Sequence, residues 1–218
     1  MSWSSENDPI FEITFLRHGE SVGNFENRMQ GQMDYPLTPL GQKQAQALAD
    51  RWLRTGTVFD FVISSPLGRA SETAQILAKN LNLPELEYDP IWMERDMGVF
   101  SGQTFKEVKL SKKKLNHPNP FSSSDESRES DWSLYLRACA ALHNLLLKPP
   151  GKYLVVTHGA LMNMLLLSIM GISPQSNNES PRFILQNTSF ASFLYFPMQH
   201  KWRVNVIGDC SHIESLQA

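Results

Sequence analysis

The chain has 218 residues, of which 41% are hydrophobic and 19% charged, a usage that suits one domain with a sizeable core and excludes a disordered or fibrous class. A formal net charge of -2 leaves no global field to attract nucleic acid or anionic lipid, so any anion selectivity must be local. The two cysteines, Cys139 and Cys210, make neither a disulfide framework nor a zinc cluster by spacing, and the polar start Met1 to Pro9 lacks a secretory pattern, so a reducing, cytoplasmic location is expected.

Ile10 to Leu16 reads as a strand that stops at Arg17-His18-Gly19. Thr38-Pro39 is a helix start, and Ala45, Leu48, Ala49 and Trp52 line one face of the helix that follows. Phe59 to Ser64 is a second buried strand, and Pro66-Leu67 opens a helix with Ala70, Thr73, Ala74 and Leu77 at core spacing and Arg69 in its first turn. Ser111 to Ser130, with a lysine triplet and a serine run, is expected to be a polar surface excursion, either a lid or an inert loop. Asp131 is expected to cap a helix marked by Leu134, Ala138, Ala141, Leu142 and Leu145, which ends before Pro149-Pro150. Lys152 to Thr157 is the next strand. It runs into His158-Gly159 and the apolar helix Ala160 to Met170, too short to cross a bilayer and closed by Gly171. Ala191 to Phe196 and Trp202 to Ile207 flank a polar link and form a hairpin.

This alternation predicts an α/β fold. The expected form is one domain over residues 1–218, a three-layer α/β/α sandwich with a mostly parallel central sheet and an antiparallel edge hairpin near the C-terminus. The polar excursion falls at about 111–130. In such sheets ligands bind beyond the carboxyl ends of the strands, where His18 and His158 both fall, so the two are predicted to converge.

Leu16-Arg17-His18-Gly19-Glu20-Ser21 resembles the signature of the histidine phosphatase superfamily, the phosphoglycerate-mutase-like proteins. Further blocks follow in the family's order: Asn24, Gln30-Gly31, Leu37 to Gln42, Ser64 to Ala70, Glu72 to Ala74, Glu94 with Gly98 and Gly102, and Thr157-His158-Gly159. Asn187 to Ser189 and Asp209 to His212 are similar to the family's tail. The resemblance spans nearly the whole chain. It implies a phosphohistidine on His18, phosphate binding by Arg17, Arg69, His158, Asn24, Gly31 and Gly159, and proton donation by Glu94, with His18, Glu94, Arg17 and His158 as the catalytic set.

The residue types suit that chemistry. A neutral imidazole attacks phosphorus and later leaves, dividing one displacement into two, provided its other nitrogen is held protonated; a backbone carbonyl near Gly19 is the expected acceptor. Guanidinium groups are permanently charged and grip two oxygens together, doing work that magnesium does elsewhere. His158, if protonated, is a further donor. Asn24 offers its amide, and Gly31 a backbone without an obstructing Cβ. A carboxylic acid serves near neutrality only where limited solvation or an adjacent phosphate keeps it protonated. The alternative for Glu94 is a solvent-exposed carboxylate or one paired with Arg95.

No His-Glu-x-x-His helix or His-x-His pair occurs, so no metal and no other cofactor is expected. Family mutases carry a tyrosine three places after the acid, an arginine pair in a longer insertion, and an asparagine two places after the second histidine. Here Met97 and Ala160 occupy two of those positions, and no Arg-Arg pair lies between Glu94 and His158. The expectation is therefore a phosphatase branch member hydrolysing a small phosphoester, with a phosphoglycerate mutase, or a non-catalytic module that binds phosphorylated ligands, as the alternatives. No nucleic-acid or membrane partner is expected, and the final hairpin reads equally as an oligomer edge or a covered margin. Trp92, Met97, Phe100 and Phe105 are either core or an apolar wall at the entrance.

Overall fold

The computed structural model describes residues 9–110, 119–123, 127–176 and 179–216. Most of the excursion expected at 111–130 lies outside this set. Six strands form one sheet in the order β3-β2-β4-β1-β5-β6. They are β1 (Phe11–Arg17), β2 (Phe61–Ser64), β3 (Leu86–Tyr88), β4 (Lys152–Thr157), β5 (Phe190–Phe196) and β6 (Lys201–Asp209). The first four in space run parallel, and β5 and β6 close the β1 side as an antiparallel pair.

Helices cover both faces, as the sequence predicted. Alternation along the strands sends Ile13, Phe15, Tyr153 and Val155 to one face, where they pack on Leu134, Ala138 and Leu145 of α5 (Asp131–Leu146) and on Leu161 and Leu165 of α6 (Gly159–Ile169). Leu16, Leu154 and Val156 face the other way. They meet Leu48 and Trp52 of α2 (Pro39–Arg54) and Ala70 and Leu77 of α3 (Gly68–Leu81). The short helices α1 (Val22–Phe25) and α4 (Phe105–Leu110) and the three-residue β3 are too brief to show a sequence period.

Helix boundaries follow local chemistry. Thr38 caps α2, its hydroxyl accepting from Gly41 N at 3.0 Å, and Gly171 carries φ +70 just past α6. One expectation is corrected: Ser130, not Asp131, caps α5. The extended backbone of Ser130 lets its hydroxyl accept from Ser133 N at 3.0 Å, while Asp131 sits in the first turn and pairs with Arg95.

Candidate active site

Strand register brings the two histidines together. β1 and β4 are parallel neighbours with Arg17 opposite Thr157, so the residues one step beyond each strand, His18 and His158, emerge side by side with ring centroids 5.1 Å apart. Both are buried, at 2% and 0% exposure. His18 Nδ1 donates to Gly19 O at 2.6 Å, which leaves Nε2 without a proton in the neutral ring. His158 Nε2 meets Ser65 Oγ, just beyond the end of β2, at 2.8 Å, and His158 Nδ1 has no partner among the described residues.

Burial first, then the guanidinium groups of Arg69 and Arg17, hold His18 well below the usual histidine range, against the opposing pull of the Gly19 carbonyl. Burial and then Arg69, the neighbouring His18 ring and Arg17 do the same to His158. Burial and the adjacent charges thus favour a neutral His158, one ring nitrogen of which still carries a proton. When the Ser65 hydroxyl donates to Nε2, the ring proton sits on the unpartnered Nδ1.

These depressed histidines make stability pH-dependent. Unfolded, they bind protons near pH 6.5; folded, His18 and His158 stay neutral far lower, and burial takes His212 down to about 4. The unfolded chain thus binds more protons as pH falls, so this stability is intact above 6.5 and is lost towards acid. The melting temperature is expected to drop between about pH 7 and about pH 4.5, and His212→Gln to flatten that drop. A melting temperature independent of pH over that window would contradict this account.

Arg17 ends β1 and donates Nη1 to Leu185 O; its Nε is buried without a partner. Arg69, only 1% exposed, donates Nη1 to Met33 O at 2.9 Å and Nη2 to Gly31 O at 2.8 Å, again leaving Nε unpaired. Burial pulls Arg69 down to about 10 against the carboxylates of Glu94 and Asp34, so it remains cationic at neutral pH. Gly31 owes its identity to φ +55 and to crowding: a Cβ there would lie 2.8 Å from Ser101 Oγ and 3.1 Å from Met97 Cβ. Its carbonyl anchors Arg69.

Glu94 follows the 3-10 turn Pro90–Trp92 and reaches the first turn of α6. Its Oε2 accepts from Ala160 N at 3.1 Å, and Oε1 from Leu161 N at 3.3 Å and Arg95 N at 2.8 Å. These N–H groups, left without intrahelical partners at the helix start, fix the orientation of both carboxyl oxygens. The Arg95 side chain pairs with Asp131 rather than with Glu94. Arg137 of α5 holds the approach, donating to Ile91 O at 2.9 Å and Met93 O at 2.7 Å while bound to Glu129.

Asn24 lines the same cleft. Its Oδ1 accepts from Ser21 N at 3.1 Å and Asn187 Nδ2 at 3.2 Å, so its own amide N–H groups have no protein partner among the described residues. Gly159 lies against Arg17, where a Cβ would meet Nε at 3.5 Å. His18, Arg17, Arg69, Glu94, Asn24, Gly31 and Gly159 all line one cleft of about 950 Å³, with His158 packed beside His18.

Sequence reasoning gave no role to Ser65, to Thr73, whose Oγ1 accepts from Gly19 N at 3.0 Å, or to Asn187, whose Nδ2 donates to His18 O at 3.0 Å. All three stood inside the matched blocks, which was the available signal. The predicted apolar wall divides. Trp92 and Phe100 are core, at 1% and 0% exposure, whereas Met97 and Phe105 line the cleft. Met164, Leu167 and Phe183 complete the apolar side, and Arg28, Arg128 and Arg182 add cationic lining that no sequence motif announced. Among the described residues no group of three or more His, Cys, Asp or Glu side chains could hold a metal ion, and no helix is long and apolar enough to cross a membrane.

Residues 13–209 match the family model of the histidine phosphatase superfamily, branch 1. The chain belongs to this superfamily. It is 31% identical over 214 residues to a protein named probable phosphoglycerate mutase GpmB from Yersinia enterocolitica, covering 94% of this chain and 96% of that protein. It is 34% identical over 219 residues to phosphoglycerate mutase-like protein 4 of Arabidopsis thaliana, covering 97% and 91%. Phosphoserine phosphatase from Entamoeba histolytica, solved in complex with 3-phosphoglyceric acid, superposes with a TM-score of 0.78 at 26% identity, covering 93% of this chain and 99% of that one. Superfamily membership agrees with the α/β architecture and makes the chain a relative of phosphatases and mutases alike.

Proposed function

We propose that this chain is a phosphomonoester hydrolase that works without a metal ion, passing the phosphoryl group of a small organic phosphate through His18. One observation carries the reading: around a buried neutral imidazole with a bare Nε2, two buried N–H donors, Arg17 Nε and Arg69 Nε, have no acceptor among the described residues, and His158 Nδ1 beside them is likewise unpartnered there. Buried donors are rarely left unpaired. The oxygens of a phosphoryl group supply the acceptors, and Asn24 adds an amide donor.

In the first step His18 Nε2 bonds to phosphorus and the ester P–O bond breaks. Glu94 gives its proton to the departing alkoxide. In the second step Glu94 takes a proton from water, the hydroxide oxygen bonds to phosphorus, and the P–N bond breaks to return the neutral imidazole. Throughout, Nδ1 keeps its proton on Gly19 O, and the cations offset the charge that gathers on the equatorial oxygens. Arg28, Arg128 and Arg182 along the cleft favour anionic substrates, and the Met164, Leu167 and Phe183 side accommodates an organic body.

Mutase activity is the second reading, favoured by the names of the curated relatives. Against it stand Met97 and Ala160 at the positions of the mutase tyrosine and asparagine, since a mutase must shield phosphohistidine from water. The deciding experiment measures phosphate release from a phosphoester panel with chelator present, alongside interconversion of phosphoglycerates. Release that survives chelation, with little interconversion, is expected. A strict metal requirement, or efficient interconversion without release, would overturn the proposal.

A further inference from the structure

The turn Ser211–Leu216, which packs on α2 after the last strand, carries a buried histidine that the mechanism above does not use. His212 is 7% exposed, and its Nε2 lies 2.9 Å from Thr188 Oγ1. Thr188 Oγ1 donates its own proton to Asn187 O at 2.7 Å, so towards His212 it can only accept. The ring proton of His212 is therefore on Nε2. Its Nδ1 is buried without a partner, and burial pushes the imidazole down to about 4, so the ring is a neutral single donor.

Thr188 is an unusual recipient. It sits at φ +57, in the left-handed region that a β-branched side chain rarely enters. That conformation aims its amide back at the end of β1, where Thr188 N donates to Arg17 O at 3.1 Å and His18 O at 3.2 Å. Asn187 Nδ2 donates to the same His18 carbonyl at 3.0 Å, and Arg17 N donates to Ser189 O at 3.0 Å. The backbone of the nucleophile is thus clamped by residues 187–189, and the strained centre of the clamp is held at its side chain by His212.

We propose that His212 is a positioning residue for His18: through its hydrogen bond to Thr188 it keeps a left-handed backbone in place, and that backbone fixes the carbonyl, and so the aim, of the nucleophilic imidazole. Strain at an active site persists only where surrounding contacts over-determine it. His212 supplies such a contact from the far end of the chain. A displacement of the nucleophile smaller than an ångström is enough to slow an in-line attack, while Arg69, anchored outside the clamp on Met33 O and Gly31 O, goes on binding the phosphate.

The inference rests on His18 as nucleophile, and its test is separable from that reading. With 4-nitrophenyl phosphate, His212→Ala is expected to lower kcat about tenfold with KM changed less than about twofold. His212→Gln, whose side-chain amide retains an N–H donor, should recover most of that loss. In a Thr188→Gly background the strain is gone, because glycine enters the left-handed region freely, so adding His212→Ala should cost less than about twofold. All rates are compared well below each variant's melting temperature, and the Gln variant carries the test if the Ala variant does not fold. A kcat within about twofold of wild type for His212→Ala, no rescue by Gln, or an undiminished penalty in the Thr188→Gly background would overturn the proposal. If His18→Ala kept full activity, the reading of His18 as nucleophile would fall instead.

Discussion

His18→Ala is expected to lower phosphate release by roughly 10⁴- to 10⁶-fold, the largest effect of any single substitution in this chain. Among the described residues no other histidine and no cysteine lines the cleft to take over the attack. The buried ring is neutral because desolvation, Arg69 and Arg17 hold its pKa well below the usual range, and its Nδ1 proton is committed to Gly19 O. Protonation of Nε2, the ordinary fate of a histidine in mild acid, would need a third cation beside two arginines. The nucleophile therefore stays competent below pH 6.5, so the acidic limb of kcat/KM should lie well under that value. A rapid-quench measurement decides the point. Wild-type protein mixed with radiolabelled substrate and quenched in alkali, where a P–N bond survives, should carry label, and His18→Ala should carry none. Equal labelling of both proteins, or unaltered turnover in the variant, would sink the phosphohistidine route.

Glu94→Gln should cost about 10²- to 10⁴-fold with alkyl phosphates and much less with 4-nitrophenyl phosphate. A nitrophenolate leaves without help, whereas an alkoxide does not leave unprotonated, so the loss should grow with the basicity of the leaving group. The side chain is fixed from both oxygens by Ala160 N, Leu161 N and Arg95 N. Glutamine preserves the shape but sets an amide N–H against one of these donors, so some stability is lost with the acid. That structural cost is shared by all substrates. A difference in loss between alkyl and aryl esters therefore isolates proton transfer, and an equal loss for both would reduce Glu94 to a structural partner of the α6 N-terminus.

The sequence exposed much of the site because the chemistry lies at element ends. Arg17 and His18 close a strand, His158 closes another, and Arg69 opens a helix, so pattern breaks and motif blocks coincide. Where it failed, the cause was competition between adjacent groups. Ser130 and Asp131 both suit a helix cap, and only the backbone angles and the claim of Arg95 on Asp131 separate them. Met97 and Phe105 cannot be told from Trp92 and Phe100 by hydrophobicity, because all four follow one another in a segment with almost no period.

From residue order alone come the strand and helix series, the residue types of the site and the resemblance that links its blocks, since each is written in short-range spacing and capping chemistry. Tertiary structure decided the rest. The close packing of His18 and His158 that the strand ends only foreshadowed, the second arginine group along the cleft and the contact from His212 to Thr188 join residues separated by 24 to 154 positions. Burial and proximity across such spans arise from how parallel strands pair and which faces the helices cover, and those are properties of the assembled sheet, not of any local stretch of chain.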